Sequence, residues 1–200
     1  GVGEAKVDVS LLESQEESET TFLPEAAARF PGIVGQTVVL GSAISAIAIW
    51  STRQKYFGKE NLTLIHKMYR SKFSKITGAA LVGVLVSNFV MIAVQTVRLE
   101  TSPIDVLGTT FGATWLMRMI ITIILLGIWF WMERKVSLTS KKYVPMLVVS
   151  LALIFTTTMF GHGTASELVA PMILDYVHNL LASVWIGGVI FFSFVILPTL

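Results

Sequence analysis

Four residues in this chain have the types and spacing to do chemistry: Arg118, His162, Asp175 and His178. Each lies in or at the edge of a long apolar run. An ionisable side chain is costly to hold there, which makes it a functional hypothesis by default. Arg118 stands in Trp115-Leu-Met-Arg118-Met. Asp175 and His178 are i, i+3 and share a helix face, and Trp185 continues that face. His162, in Gly161-His162-Gly163, closes the preceding run. At a rise of ~1.5 Å per residue, Arg118 and His178 fall ~8 Å and ~9 Å inside the same boundary, so the groups can converge on one polar pocket. Two arrangements would use them. In one, Arg118 and Asp175 form a buried ion pair between two helices, and His178 hydrogen-bonds nearby. In the other, His162 and His178 bind a metal, and Asp175 is a further ligand or orients an imidazole.

The donor types narrow the metal. Two imidazoles, a carboxylate and nearby thioethers (Met117, Met119, Met159, Met172) suit copper. Imidazole with carboxylate also suits zinc, and two His on neighbouring helices could clamp a haem iron. Methionine is also ordinary filling for an apolar core. The chain has no cysteine, which removes disulfides, thiolate metal sites, iron–sulfur clusters and cysteine nucleophiles together. No nucleophile–base pair, phosphate loop or metalloprotease helix is present, so no enzymatic role is expected.

The elements that must position these residues are membrane helices. Of 200 residues, 54% are hydrophobic and only 14% charged, and the mean hydropathy is +0.72. Soluble domains carry about 25% charged residues, so a soluble enzyme, a disordered chain and a nucleic-acid module are all disfavoured. Five apolar runs, approximately 33–50, 76–97, 113–132, 143–160 and 172–197, each suffice to cross a ~30 Å hydrocarbon core. In lipid the backbone must satisfy its own hydrogen bonds, which predicts an all-α polytopic helix bundle. Small residues inside the runs, among them Gly35, Gly41, Ser42, Gly78 and Gly83, favour close helix packing.

Charge orients the bundle. The loops after the first and third runs hold 11 of the 15 basic residues against Glu60 and Glu133. The positive-inside rule makes them cytoplasmic and puts the N-terminus outside, in the cytoplasmic membrane. Leu62, Ile65, Tyr69, Phe73 and Ile76 alternate with Lys67, Arg70, Lys72 and Lys75, which predicts a basic amphipathic helix on the inner leaflet. Residues 1–30 carry seven acids against Lys6 and Arg29. They read as an acidic extracytoplasmic tail or linker, or as the last strand of a preceding domain around Val7, Val9 and Leu11. The membrane domain then covers 31–200.

The stretch Gly161-His162-Gly163-Thr164-Ala165, followed by Asp175-x-x-His178, small residues and Trp185-x-Gly187-Gly188, resembles the CopD family of copper-resistance membrane proteins. So does Thr109-Thr110-Phe111-Gly112 followed by Arg118. The resemblance spans roughly 105–195. It implies a multi-pass protein that binds copper, Cu(I) or Cu(II), at its outer face and moves it across the membrane or delivers it there. It implies His162, Asp175 and His178 as copper-facing groups and Arg118 as the partner of Asp175. Trp185, Gly187 and Gly188 would shape helix packing. Relatives are often linked to a β-sandwich CopC-type copper-binding domain, and they tend to have more than five helices, which implies that this chain is incomplete at its C-terminus. Two other functions stay open: a non-transporting accessory subunit of a larger membrane complex, in which the polar cluster is structural, and a haem-bearing membrane cytochrome.

Overall fold

The computed structural model describes residues 23–53, 59–134, 140–162 and 169–199. The strand expected around Val7–Leu11 and the linker at 13–21 lie outside the described residues. Among those described there is helix and no strand. The helices are α1 (Leu23–Arg53), α2 (Lys59–Arg98), a five-residue α3 (Pro103–Leu107), α4 (Thr110–Arg134), α5 (Val144–His162) and α6 (Val169–Phe191). A 3-10 turn (Ser140–Tyr143) precedes α5, and a π turn (Phe192–Ile196) follows α6. Five stretches are long and apolar enough to cross a membrane: Leu23–Ala48, Tyr69–Arg98, Thr110–Arg134, Lys141–Phe160 and Val169–Ile196. The protein is an all-α integral membrane protein, as its composition requires.

The first span starts at Leu23, not near Ile33, so residues 23–30 belong to the helix and not to the acidic tail. The charges there are neutralised locally. The Glu25 carboxylate accepts from Arg29 Nη2 at 2.5 Å, one helical turn on, and from Arg98 Nη1 at 2.6 Å. Pro24 sits in the first turn, where its missing N–H has no helical partner to lose. Pro31, inside α1, is tolerated because neighbouring membrane helices can satisfy the freed backbone groups.

The basic segment after α1 also differs from expectation. It does not form a separate surface helix: α2 runs unbroken for 40 residues, or ~60 Å. Tyr69 and Phe73 are buried in the bundle. Phe73 meets Tyr143 (ring centroids 5.1 Å) and Phe191 (5.9 Å), and Tyr69 meets Phe191 (5.9 Å), all edge-on. These aromatic residues join α2, the turn before α5 and the end of α6 into one core beneath the basic loops. The side chains of Leu62, Ile65 and His66 lie outside the described residues.

The end of α2 is a local stop signal. Thr101 N–H reaches back to Thr96 O (3.2 Å), and Glu100 holds φ +50°. Glycine is the usual residue at that left-handed position. Glu100→Gly should therefore raise stability by about 1 kcal/mol, read as a higher midpoint of thermal unfolding in detergent.

Helix α1 is the hub. Val39, Leu40, Ala43 and Ala46 are fully buried or almost so, and the helix packs on α2, α5 and α6. Helix α4 packs on α2 and α5. Helix α6 packs on α1 and α5 and leaves Leu174, Leu181, Trp185 and Val189 exposed on its far side. Helices α4 and α6 are thus held apart by the helices between them.

Candidate functional site

The described polar groups are organised around Arg118. Helix α4 is set in place by Thr109, whose hydroxyl accepts from Gly112 N–H at 3.1 Å and donates to Val106 O at 2.7 Å. Gly112 must be glycine, because a Cβ there would lie 2.3 Å from Val106 O and 2.4 Å from Leu107 Cα of α3. Helix α3 is capped in turn. The hydroxyls of Ser102 (2.6 Å) and Thr101 (3.1 Å) donate to the Asp105 carboxylate and hold its pKa below the usual carboxylate range. The Thr109-Thr110-Phe111-Gly112 motif is therefore a cap and a close contact that set the entry of α4.

Two turns into α4, Arg118 is 6% exposed and donates in every direction. Its Nε donates to Asn88 Oδ1 (2.9 Å) on α2. Its Nη1 donates to Thr156 Oγ1 and Thr157 Oγ1 (both 2.9 Å) and to Leu153 O (3.3 Å) on α5. Its Nη2 donates to Gln36 Oε1 (3.1 Å) on α1. Asn88 is fixed by Trp115 Nε1, which donates to its backbone carbonyl (2.7 Å), and by its own Nδ2, which donates to Thr122 Oγ1 (3.1 Å). Thr157 also donates to Gln36 Oε1 (2.8 Å). One guanidinium thus ties four helices together, through neutral acceptors only.

The Arg118–Asp175 ion pair does not form. None of the Arg118 partners is on α6. Register along the membrane normal gives two residues similar depths, but it says nothing about the lateral order of helices. Here α1 and α5 stand between α4 and α6.

Asp175 and His178 lie on α6, Asp175 partly buried and His178 exposed. Asn179 Nδ2 donates to Asp175 Oδ2 at 3.1 Å. Tyr176 fixes the level of α6 against α5: its ring meets Phe155 edge-on at 5.5 Å, and its hydroxyl donates to Leu151 O at 3.3 Å. With the helices antiparallel, the backbone of His162 at the end of α5 stands ~13 Å along the axis from that of His178, and nearer to Asp175. The His162 side chain lies outside the described residues. Among the described residues, no three His, Cys, Asp or Glu side chains form a group able to hold a metal. Met119 is buried, Met117, Met159 and Met172 are partly buried, and Met172 shares the Asp175 face one turn earlier.

The Trp-x-Gly-Gly stretch splits by role. Gly187 packs backbone to backbone on α1: a Cβ there would lie 2.1 Å from Thr37 O, and one on Gly41 would lie 2.3 Å from Gly187 C. Thr37 and Ser183 hydroxyls meet at 3.3 Å in the same seam. A Cβ on Gly188 would meet nothing within 4 Å, and Trp185 is 73% exposed. Of the three residues, Gly187 alone stands where a Cβ would collide with α1.

Residues 22–171 match the family described as Copper resistance protein D-like, N-terminal domain. The chain belongs to this family. No curated protein and no solved structure matches it. The match covers three quarters of the chain, from the start of α1 to the start of α6. It contains the whole Arg118 network and His162, and it ends before Asp175, His178, Trp185, Gly187 and Gly188. Within this copper resistance protein D-like domain, Gln36 and Asn88 are the residues that a search for ionisable groups overlooks. Their signal is present in the sequence: each is an amide inside an apolar run, and a buried amide must find partners.

Proposed function

We propose that this protein takes copper at the Leu23 end of the bundle and moves it across the cytoplasmic membrane or delivers it there. Membership of the copper resistance protein D-like family carries the reading. Two further features support it. Basic residues gather at one end of the bundle, which by the positive-inside rule makes that end cytoplasmic and the Leu23 end external. Asp175 and His178 stand on one helix face below the level of His162, a set of imidazole and carboxylate donors that suits Cu(II). In this reading His162 is the entry ligand and the Asp175–His178 pair is the next station. The ~13 Å stagger of the two histidines makes them successive sites and not one cage. A CopC-like copper-binding domain is the natural donor at the outer face. Copper is bound and passed on, with no catalytic step.

The test is copper stoichiometry by elemental analysis on protein purified without added metal or chelator. His178→Ala should lose the deeper copper, and copper affinity of the unaltered protein should fall on acidification, because a protonated imidazole cannot ligate. Unchanged stoichiometry in a folded His178→Ala variant would overturn the ligand assignment.

One observation favours a second reading. His178 is exposed on a membrane helix, and ionisable groups in such helices ordinarily face protein or a water-filled cavity. An accessory subunit, with a partner helix covering α6, would explain that. Fixed membrane partners that co-purify in mild detergent with no bound metal would favour it.

A further inference from the structure

We propose that Arg29 and Arg118 together bind a small monovalent anion, between a halide and a simple carboxylate in size, in the cavity between α1, α2, α4 and α5. This anion site does not depend on copper handling. The guanidinium of Arg118 is 6% exposed within a membrane helix, and every hydrogen-bond acceptor it meets among the described residues is neutral. Neutral oxygens satisfy its protons but leave the charge uncompensated, and buried charges are ordinarily paired.

A second cation faces the same space. A cavity of about 60 Å³ is lined by Arg29 and Ile33 of α1, Ser87 and Asn88 of α2, Trp115 and Arg118 of α4, and Thr157 of α5. Arg29 shares the carboxylate of Glu25 with Arg98. One carboxylate thus serves two guanidiniums outside the cavity, and no anionic side chain among the described residues lines the cavity itself.

The available donors fit an anion better than a water cluster. The Ser87 hydroxyl proton is committed to Ala28 O (2.7 Å), and that of Thr157 to Gln36 Oε1 (2.8 Å). Arg29 Nε is buried with no hydrogen-bond partner among the described residues. Arg118 Nη2 gives one of its two protons to Gln36 and keeps the other. The lining hydroxyls therefore present lone pairs, while the guanidiniums present the spare N–H groups and both positive charges. The volume admits one small ion or a few waters, and excludes a lipid phosphate with its glycerol. The Arg29 side chain is 35% exposed, which leaves an entrance at the Leu23 end.

Radiolabelled chloride is the probe, measured by equilibrium dialysis on the purified full chain in detergent, with sodium gluconate holding ionic strength constant. Saturable binding near one per chain is expected, displaced by bromide and formate and not by gluconate. Arg29→Gln should weaken it about tenfold or more, the loss of one charge-assisted contact. Ile33→Asp provides a second readout that does not depend on the first variant folding. It places a carboxylate beside both arginines, so it should abolish chloride binding and raise the unfolding midpoint in chloride-free buffer. The rise reports uncompensated positive charge at the cavity, which a water-filled cavity would show as well, so the saturable chloride binding and its loss in this variant are what distinguish the anion. Absence of saturable chloride binding, unchanged affinity in Arg29→Gln, or a lower midpoint in Ile33→Asp would each overturn the proposal.

Discussion

Gly187→Ala is expected to force α6 away from α1 and destabilise the protein by about 3 kcal/mol or more, at the top of the range for overpacked sites. The reason is what the new methyl meets. At 2.1 Å from Thr37 O and close to Gly41 Cα, it collides with the backbone of α1 at two positions one turn apart. A side chain could rotate aside, but a helix backbone moves only as a unit. Separation would also break the Thr37–Ser183 contact. Gly188→Ala is the internal control. Nothing stands within 4 Å of its Cβ direction, so the helix propensity of alanine should leave stability unchanged or raise it by about 0.5–1 kcal/mol. Thermal unfolding of the two variants in one detergent decides the matter, and equal effects at the two positions would refute the packing geometry.

Arg118→Met is the second large effect, with a loss of about 3 kcal/mol or more expected, because several buried neutral acceptors lose a donor together and each one left unsatisfied costs about 1–3 kcal/mol. Methionine fills much of the space of the arginine stem but donates nothing. Asn88 Oδ1 loses the Arg118 Nε–H, and Gln36 Oε1 keeps only the Thr157 hydroxyl. Arg118→Lys should fall between. Its ammonium keeps the charge and has three donors, but from a single point it cannot span acceptors on α1, α2 and α5. Asp175→Asn should cost much less than Arg118→Met, because Asp175 is on a helix that Arg118 does not touch. Near-equal losses in Asp175→Asn and Arg118→Met, read from unfolding midpoints in the same detergent, would restore the ion pair between α4 and α6.

Much of this protein is legible in its residues. An apolar run long enough for the hydrocarbon core has one way to satisfy its backbone, so five spans and the all-α class follow from composition and length. The limits of those spans are less legible. Residues 23–32 look polar until Arg98, remote in the chain, is seen to share the carboxylate of Glu25 with Arg29. Tyr69 and Phe73 look like one face of a surface helix until Tyr143 and Phe191 close over them.

The candidate site divides in the same way. The run of residues from Thr109 to Gly112, then Arg118, and the later Asp175-x-x-His178 set are enough to name the family, because motif order and spacing are properties of the chain itself. They also give depth in the membrane, since rise per residue is constant along a helix. Lateral neighbours are decided only by the fold. Which helix stands beside which depends on the fit of side chains and backbone from distant segments, such as Gly41 against Gly187, and no periodicity within one helix records it. Hence the partners of Arg118 are Gln36, Asn88, Thr156 and Thr157, and not Asp175. A buried amide or hydroxyl has no signature beyond being polar in an apolar run, and it becomes a ligand of the arginine only when the tertiary structure brings the two within hydrogen-bond reach.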